Sequence, residues 1–119
     1  MAPMKFLIID TSGTKSFVAL FADGKLNSYP LPERKQSQTL LPAVKKLLNN
    51  QEISFIALGT GPGSFTGTRI GVMTAKALSL SMDLPLVPFS SENPLDPEAL
   101  QKVFLATGGV FHTKIQIKY

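Results

Sequence analysis

The chain has 119 residues, 44% of them hydrophobic, which suffices for one domain that buries about two thirds of the surface exposed when unfolded. It contains no cysteine, so disulfide bonds and thiolate chemistry are excluded. Twelve Lys and Arg against eight Asp and Glu give a net charge of +4, which suits RNA or an acidic protein as a partner. No apolar run approaches the ~20 residues that cross a bilayer, so we expect a soluble, cytoplasmic protein without membrane contact.

An antiparallel meander is predicted for the first thirty residues. Stretches typical of strands run from Met4 to Ile9, from Ser16 to Phe21 and from Lys25 to Tyr29, with Asp23-Gly24 as a hairpin turn. Asp10 follows the first of these strands directly. The chain therefore opens with three strands and a carboxylate at the end of the first.

Helices and further strands alternate after the meander. Apolar residues at helical spacing predict a helix around Leu40, Val44 and Leu47, followed by a strand from Phe55 to Leu58. A helix over 66–82 and a strand from Leu84 to Phe89 come next. This order is similar to that of the ribonuclease H-like lobe of actin, Hsp70 and sugar kinases, so we expect an α/β fold with a mixed five-stranded sheet and helices on its faces.

A glycine-rich loop joins the strand at 55–58 to the helix at 66–82. We expect Gly59, Gly61 and Gly63 to adopt positive φ, and Pro62 to stiffen the turn. Such a joint before a helix N-terminus is typical of a phosphate-binding loop. Here Thr68-Arg69 stands where a P-loop has Lys and Ser or Thr, so a tight strand-to-helix connection is favoured.

The helix over 66–82 is apolar around more than half of its circumference. One face of the helix contains Gly67, Gly71, Ala75, Leu78 and Met82. The first three are small and allow the backbone to pack closely against a neighbour. A second apolar face needs another cover, which in so short a chain we expect to be another protein; it contains Ile70, Met73, Ala77 and Leu80. The outward strip is predicted to contain Thr68, Arg69, Val72, Lys76 and Ser79.

The loop carries a specific family resemblance. The pattern Gly-x-Gly-Pro-Gly-Ser-Phe-Thr-Gly-x-Arg-Ile-Gly, from Gly59 to Gly71, resembles the TsaB (YeaZ) family closely. Ile9-Asp10-Thr11, Leu40-Leu41-Pro42 and Leu84-Pro85-Leu86-Val87 also fit the pattern of that family. The resemblance covers the chain from about Met4 to Ser91.

Membership of that family implies a non-catalytic role without a cofactor. TsaB-like proteins pair through N-terminal helices with the transferase TsaD, which makes the threonylcarbamoyl modification on tRNA, and the ATPase TsaE joins the assembly. The implied partners are thus a TsaD-like transferase, a TsaE-like ATPase and, through the complex, tRNA, with homodimerisation when the chain is alone. We expect the docking surface to consist of Ile70, Met73, Ala77 and Leu80, assisted by the stripe of Leu40, Val44 and Leu47.

Few residues are suited to catalysis. His112 is the one histidine, and it lies in an alternating segment that predicts an ordinary strand position. Asp10 is the candidate nucleotide contact, since relatives with the same lobe hold metal and phosphate near this hairpin; a structural role in capping the hairpin is equally compatible. No catalytic residue set and no metal site are predicted.

The C-terminal part departs from the family pattern. We expect residues 1–91 to form the actin-like N-terminal lobe and residues 92–119 to form a short helix and a hairpin. The helix should begin at Asp96-Pro97-Glu98, and the hairpin should pair Val103–Ala106 with Phe111–Ile117 across Gly108-Gly109. TsaB-like proteins normally continue into a second similar lobe, so this region is interpreted as the start or remnant of one, in a chain that looks truncated.

Two other functions are open on the sequence alone. The chain could be the nucleotide-binding half of an actin-like ATPase, or a small RNA-binding module. Binding of ATP, or salt-sensitive binding of tRNA, would distinguish these functions from that of a partner protein.

Overall fold

The computed structural model describes residues 4–13, 15–32 and 35–116. The elements in chain order are β1 Phe6–Asp10, β2 Phe17–Ala22, β3 Lys25–Pro30, α1 Gln36–Leu48, β4 Phe55–Gly59, α2 Phe65–Met82, β5 Leu86–Phe89, α3 Pro97–Thr107 and a 3₁₀ helix at His112–Lys114. Within the described ranges, no helix combines the length and apolarity needed to cross a lipid bilayer.

The strands of the described residues form one mixed sheet. They lie in the order β3-β2-β1-β4-β5, with β1 at the centre. β2 pairs antiparallel with both β1 and β3, whereas β4 is parallel to β1 and β5. The predicted α/β class and mixed five-stranded sheet are therefore confirmed.

Every residue of the central strand β1 is buried, and its alternating side chains enter two separate cores. Leu7 and Ile9 face the core that α1 and α2 cover. Phe6 and Ile8 face the opposite core, which α3 covers. Helices thus lie on both faces of the sheet, and the edge strand β3 is exposed at all six positions.

The predicted C-terminal hairpin is wrong, because Val103–Ala106 lie inside α3. Asp96 caps this helix by accepting a hydrogen bond from the backbone N–H of Ala99 at 2.8 Å. The helix continues because Leu100, Val103 and Phe104 recur at helical spacing and pack on the sheet, where the Phe104 ring stacks on Phe55.

The two glycines of that expected hairpin end α3 instead of turning between strands. Gly108 has a φ of 73° and is the C-cap. Gly109, also at positive φ, leads to Val110, which exchanges two backbone hydrogen bonds with Leu86 of β5. His112 begins a 3₁₀ helix and is not in a strand, and Ile117 lies outside the described residues. The division of the chain at residue 91 stays a prediction.

The buried side of α2 contains the expected row of Gly67, Gly71 and Ala75, but it also includes residues that were expected to face outward. Thr68, Val72 and Ser79 were predicted to point outward, yet all three are buried together with Gly67, Gly71 and Ala75. Met82, placed on the buried face by the sequence, is 36% exposed. The close contacts of Gly67 and Gly71 with Thr11 hold this row against the sheet, and the buried side then extends toward Thr68 and Val72.

Candidate functional site

The ends of the parallel strands β1 and β4 bring two loops together. Residues 11–13 follow β1, and the glycine loop at 60–64 follows β4 and leads into α2. The backbone N–H of Ser64 donates to the carbonyl oxygen of Ser12 at 2.9 Å, and Ser64 then caps α2 by accepting from the N–H of Gly67 at 3.1 Å. The loop is therefore joined to the segment after β1 by its backbone.

Three glycines of this region lie against that segment. A Cβ on Gly63 would collide with the carbonyl oxygen of Ser12, one on Gly67 with the carbonyl oxygen of Thr11, and one on Gly71 with the hydroxyl of Thr11. The Thr11 hydroxyl also donates to the carbonyl oxygen of Gly67 at 2.5 Å. Glycine is needed at these positions because no room remains for a side chain.

The expected backbone conformation of the loop is confirmed at one glycine and wrong at two. Gly61 has a φ of 95°, whereas Gly59 and Gly63 do not have positive φ. Pro62 follows Gly61 through a cis peptide bond. At Gly59 the constraint is again close approach, since a Cβ there would collide with the carboxylate of Asp10.

Asp10 joins the end of β1 to the loop after β5. Its Oδ1 accepts hydrogen bonds from the backbone N–H of Ser12 at 3.0 Å and from the hydroxyl of Ser91 at 3.1 Å. The Ser91 hydroxyl in turn accepts from the N–H of Gly61 at 3.0 Å. The carboxylate is 5% exposed, and this geometry favours the structural capping role over a nucleotide contact.

Burial raises the pKa of the Asp10 carboxyl above its ordinary value of 3.8, although the hydrogen bonds from Ser12 and Ser91 act in the opposite direction. Sequence reasoning missed Ser12 and Ser91. Their signal is positional, because both follow the carboxyl ends of strands on the same edge of the sheet.

A cleft of about 890 Å³ opens beside this joint. Its walls include residues 11–13, the start of α1, the N-terminus of α2, Ser91 and Glu92, but Asp10 does not line it. Several of its polar groups are already bonded, for example the Gln36 amide, which donates to the Ser16 hydroxyl at 2.7 Å. Among residues 4–13, 15–32 and 35–116, no group of three or more metal-ligating side chains is close enough to hold a metal ion.

The predicted docking residues fall into two sets. On α2, Met73 and Leu80 are 64% and 69% exposed, Ala77 is exposed and Ile70 is half-buried, so this part of the surface is free in the chain. On α1, Leu40, Val44 and Leu47 are buried in the core against the sheet. Their expected part in docking is wrong, because the helical stripe covers the chain's own β-strands.

The exposed face of α2 has three members beyond the predicted docking residues: Arg69 and Lys76, which the sequence placed in the outward strip, and Phe65, which sequence reasoning missed. Phe65 is 58% exposed, and the guanidinium carbon of Arg69 lies 5.3 Å from the centroid of its ring. The signal is the spacing of Phe65, Arg69 and Met73, four residues apart and so on one side of the helix. We call Phe65, Arg69, Ile70, Met73, Lys76, Ala77 and Leu80 the exposed α2 face.

Comparisons with known proteins give one consistent family. Residues 30–93 match the family described as "TsaD: tRNA N6-adenosine threonylcarbamoyltransferase". The chain is 39% identical over 94 residues to the tRNA threonylcarbamoyladenosine biosynthesis protein TsaB of Escherichia coli (strain K12), covering 74% of this chain and 41% of that protein. The corresponding TsaB of Bacillus subtilis (strain 168) is 38% identical over 95 residues, covering 74% of this chain and 42% of the relative.

A solved structure gives the same answer for the fold. YeaZ from Pseudomonas aeruginosa superimposes with a TM-score of 0.67 at 34% identity, covering 74% of this chain and 44% of that one. The chain spans less than half the length of the relatives it matches. This likeness is consistent with the ribonuclease H-like lobe expected from the order of elements.

The close contact at Gly71 can be tested with one methyl group. Gly71→Ala should lower the free energy of unfolding by about 1–3 kcal/mol, because the added Cβ would push α2 away from Thr11. Gly13→Ala is the matched control, since the nearest atom to a Cβ there is 3.9 Å away. Urea denaturation that gives equal midpoints for the two variants would contradict the close packing.

The environment of Asp10 predicts a pH-dependent stability. Since the folded pKa is raised, the folded state binds the proton more tightly, and this contribution is complete below the unfolded pKa. The free energy of unfolding should then decrease as the pH rises from the unfolded pKa through the folded one. Asp10→Asn should remove that part of the decrease, as measured by denaturation at a series of pH values. Identical slopes for both proteins would show that the carboxyl is not perturbed.

Proposed function

This chain belongs to the family described as TsaD: tRNA N6-adenosine threonylcarbamoyltransferase and is TsaB (YeaZ)-like within it, and we propose that it is a non-catalytic partner of a TsaD-like transferase. In this role it acts in the synthesis of threonylcarbamoyladenosine in tRNA. A TsaE-like ATPase joins the assembly, and the chain reaches tRNA only through the complex, in the cytoplasm. When alone, the chain forms a homodimer.

The exposed α2 face carries this proposal. Apolar side chains on a helix of a folded domain normally turn toward its core, yet Met73 and Leu80 are more than 60% exposed. The opposite side of α2 is fixed by the glycine contacts, so the helix cannot rotate to bury them. Large apolar side chains near the centre of such a patch usually supply most of the binding energy in a protein interface.

The role of Asp10 supports a partner without chemistry of its own. Its carboxylate accepts hydrogen bonds from Ser12 and Ser91 and does not line the cleft, so we assign it the role of holding the loops together. His112 lies in the 3₁₀ helix after α3 and does not line the cleft. The reacting groups of the modification are then supplied by the TsaD-like partner.

Nucleotide binding is the second candidate, and the cleft at the N-terminus of α2 is the observation that favours it. The charges of the described residues that line the cleft weigh against binding of a triphosphate. Lys35 is the one cation among them, and the negative charge of Glu92 offsets it. The Ser64 hydroxyl caps α2 as an acceptor, so only its single O–H is left to donate to a phosphate. We therefore assign the cleft no catalytic role.

Docking through the exposed α2 face is tested by Met73→Asp. In a complex the new carboxylate would be buried without a partner, whereas in the free chain it faces water, so binding should be lost while the fold is kept. The measurement is co-purification with the TsaD-like protein of the same organism, with circular dichroism to check the fold. Leu105→Asp on α3 is the matched control, because Leu105 is also 64% exposed. Retention of the partner by folded Met73→Asp protein would refute this face as the docking site.

The proposed absence of chemistry makes a second prediction. The isolated chain should not hydrolyse ATP, and isothermal titration calorimetry should detect at most weak binding of ATP. The reason is that Lys35 is the one lysine among the described residues that line the cleft, so little positive charge faces a triphosphate. Micromolar affinity that Lys35→Ala removes would establish a nucleotide site instead. If Asp10→Asn then bound ATP with unchanged affinity, the residues that line the cleft, and not the Asp10 carboxylate, would be the ones that bind ATP.

A further inference from the structure

The two helices on the α2 side of the sheet carry charge of one sign. α1 and α2 have 13 and 18 residues and contain Lys45, Lys46, Arg69 and Lys76, but no Asp or Glu. Asp83 is the C-cap of α2 and lies beyond its last turn. In a protein with eight acidic residues, this leaves the helix layer purely cationic.

Two of these cations border the apolar part of the exposed α2 face. Arg69 and Lys76 lie seven residues apart and therefore on the same side of the helix, two turns from each other. Each precedes an exposed apolar residue by four positions, Met73 and Leu80 respectively, so both flank the apolar stripe along one edge. Lys46 is elsewhere, since its ammonium lies 5.4 Å from the ring of Tyr29 on the edge strand β3.

Neither cation is neutralised within the described part of the chain. The one ion pair found there joins Glu98 and Lys102 of α3, on the other face of the sheet. The contact of Arg69 with the Phe65 ring orients the guanidinium but leaves its charge intact. The exposed α2 face therefore presents an apolar stripe with an uncompensated basic edge.

The α2 helix of a second copy cannot supply the missing negative charge, because it contains no Asp or Glu. In an antiparallel symmetric pair of α2 helices, the two basic edges come to the same side and repel each other. In a parallel pair, each basic edge meets the edge with Ile70 and Ala77, where α2 again offers no carboxylate. Self-association by pairing the helical residues of α2 with those of a second copy thus leaves Arg69 and Lys76 without counter-charges from that helix.

We propose that the exposed α2 face selects a different protein over a second copy, namely one with a helical surface whose apolar stripe is flanked by Asp or Glu. This inference rests on the proposed function, in which the same face docks the transferase. The apolar residues provide affinity for either kind of partner, and the charges at the edge discriminate between them. Added salt should then weaken the complex and strengthen self-association.

The test uses a variant that should change the two associations in opposite directions. In Arg69→Gln/Lys76→Gln, the Kd for the TsaD-like partner should rise about fivefold at low salt, and its salt dependence should decrease. The Kd for self-association, measured by analytical ultracentrifugation, should fall because the repulsion is removed. Damage to the fold would weaken both associations together.

Lys25→Gln/Lys102→Gln is the control, since it removes the same charge from β3 and α3 and should change either Kd by less than about twofold. Unchanged partner affinity in Arg69→Gln/Lys76→Gln, or weaker binding to both partner and second copy, would overturn the inference. If the wild type and the variant are both monomeric, the Kd for the TsaD-like partner alone decides whether the inference holds. Loss of partner binding in Met73→Asp but not in this variant would leave the proposed function standing and reject only the charge selection.

Discussion

The structure depends on the contact between the first half of α2 and the two residues after β1. Gly63, Gly67 and Gly71 lie against the backbone of Ser12 and against the carbonyl oxygen and hydroxyl of Thr11. Such an approach fixes both the distance and the rotation of the helix, because any turn about its axis would direct a side chain into β1. A motif that resembles a ligand loop in the sequence is thus used for packing.

The rotation of α2 decides what the rest of the surface can do. With Val72 and Ala75 in the core, the opposite side must expose Met73 and Leu80, and α1 has no free apolar stripe to cover them. The carboxylate of Asp10 is held by the same joint through Gly59, Ser12 and Ser91. One packing constraint therefore both holds the candidate nucleotide contact Asp10 outside the lining of the cleft and exposes a candidate interface.

The sequence predicts the five strands and the two long helices in their order along the chain, because hydrophobic periodicity and turn residues are local signals. It fails at Val103–Ala106, since a β-branched residue and an aromatic residue before two glycines suit a strand as well as the last turn of a helix. It also fails to place Thr68 and Val72, because a helix that is apolar nearly all round does not reveal which side meets the sheet. The sequence also shows that Leu40, Val44 and Leu47 form an apolar stripe, but not whether that stripe packs on the chain's own sheet or on another protein.

The hydrogen bond between Asp10 and Ser91 joins positions 81 residues apart in the chain. At a translation rate of about 5–20 residues per second, several seconds separate the synthesis of the two residues. In the first part of that interval the central strand β1 can pair with β2, but its other neighbour β4 does not yet exist, and the serine that binds its terminal carboxylate follows later still. The nascent meander therefore leaves one edge of β1 unpaired, although this strand is fully buried in the folded chain, and such an open edge is a template for pairing with other strands until β4 is made.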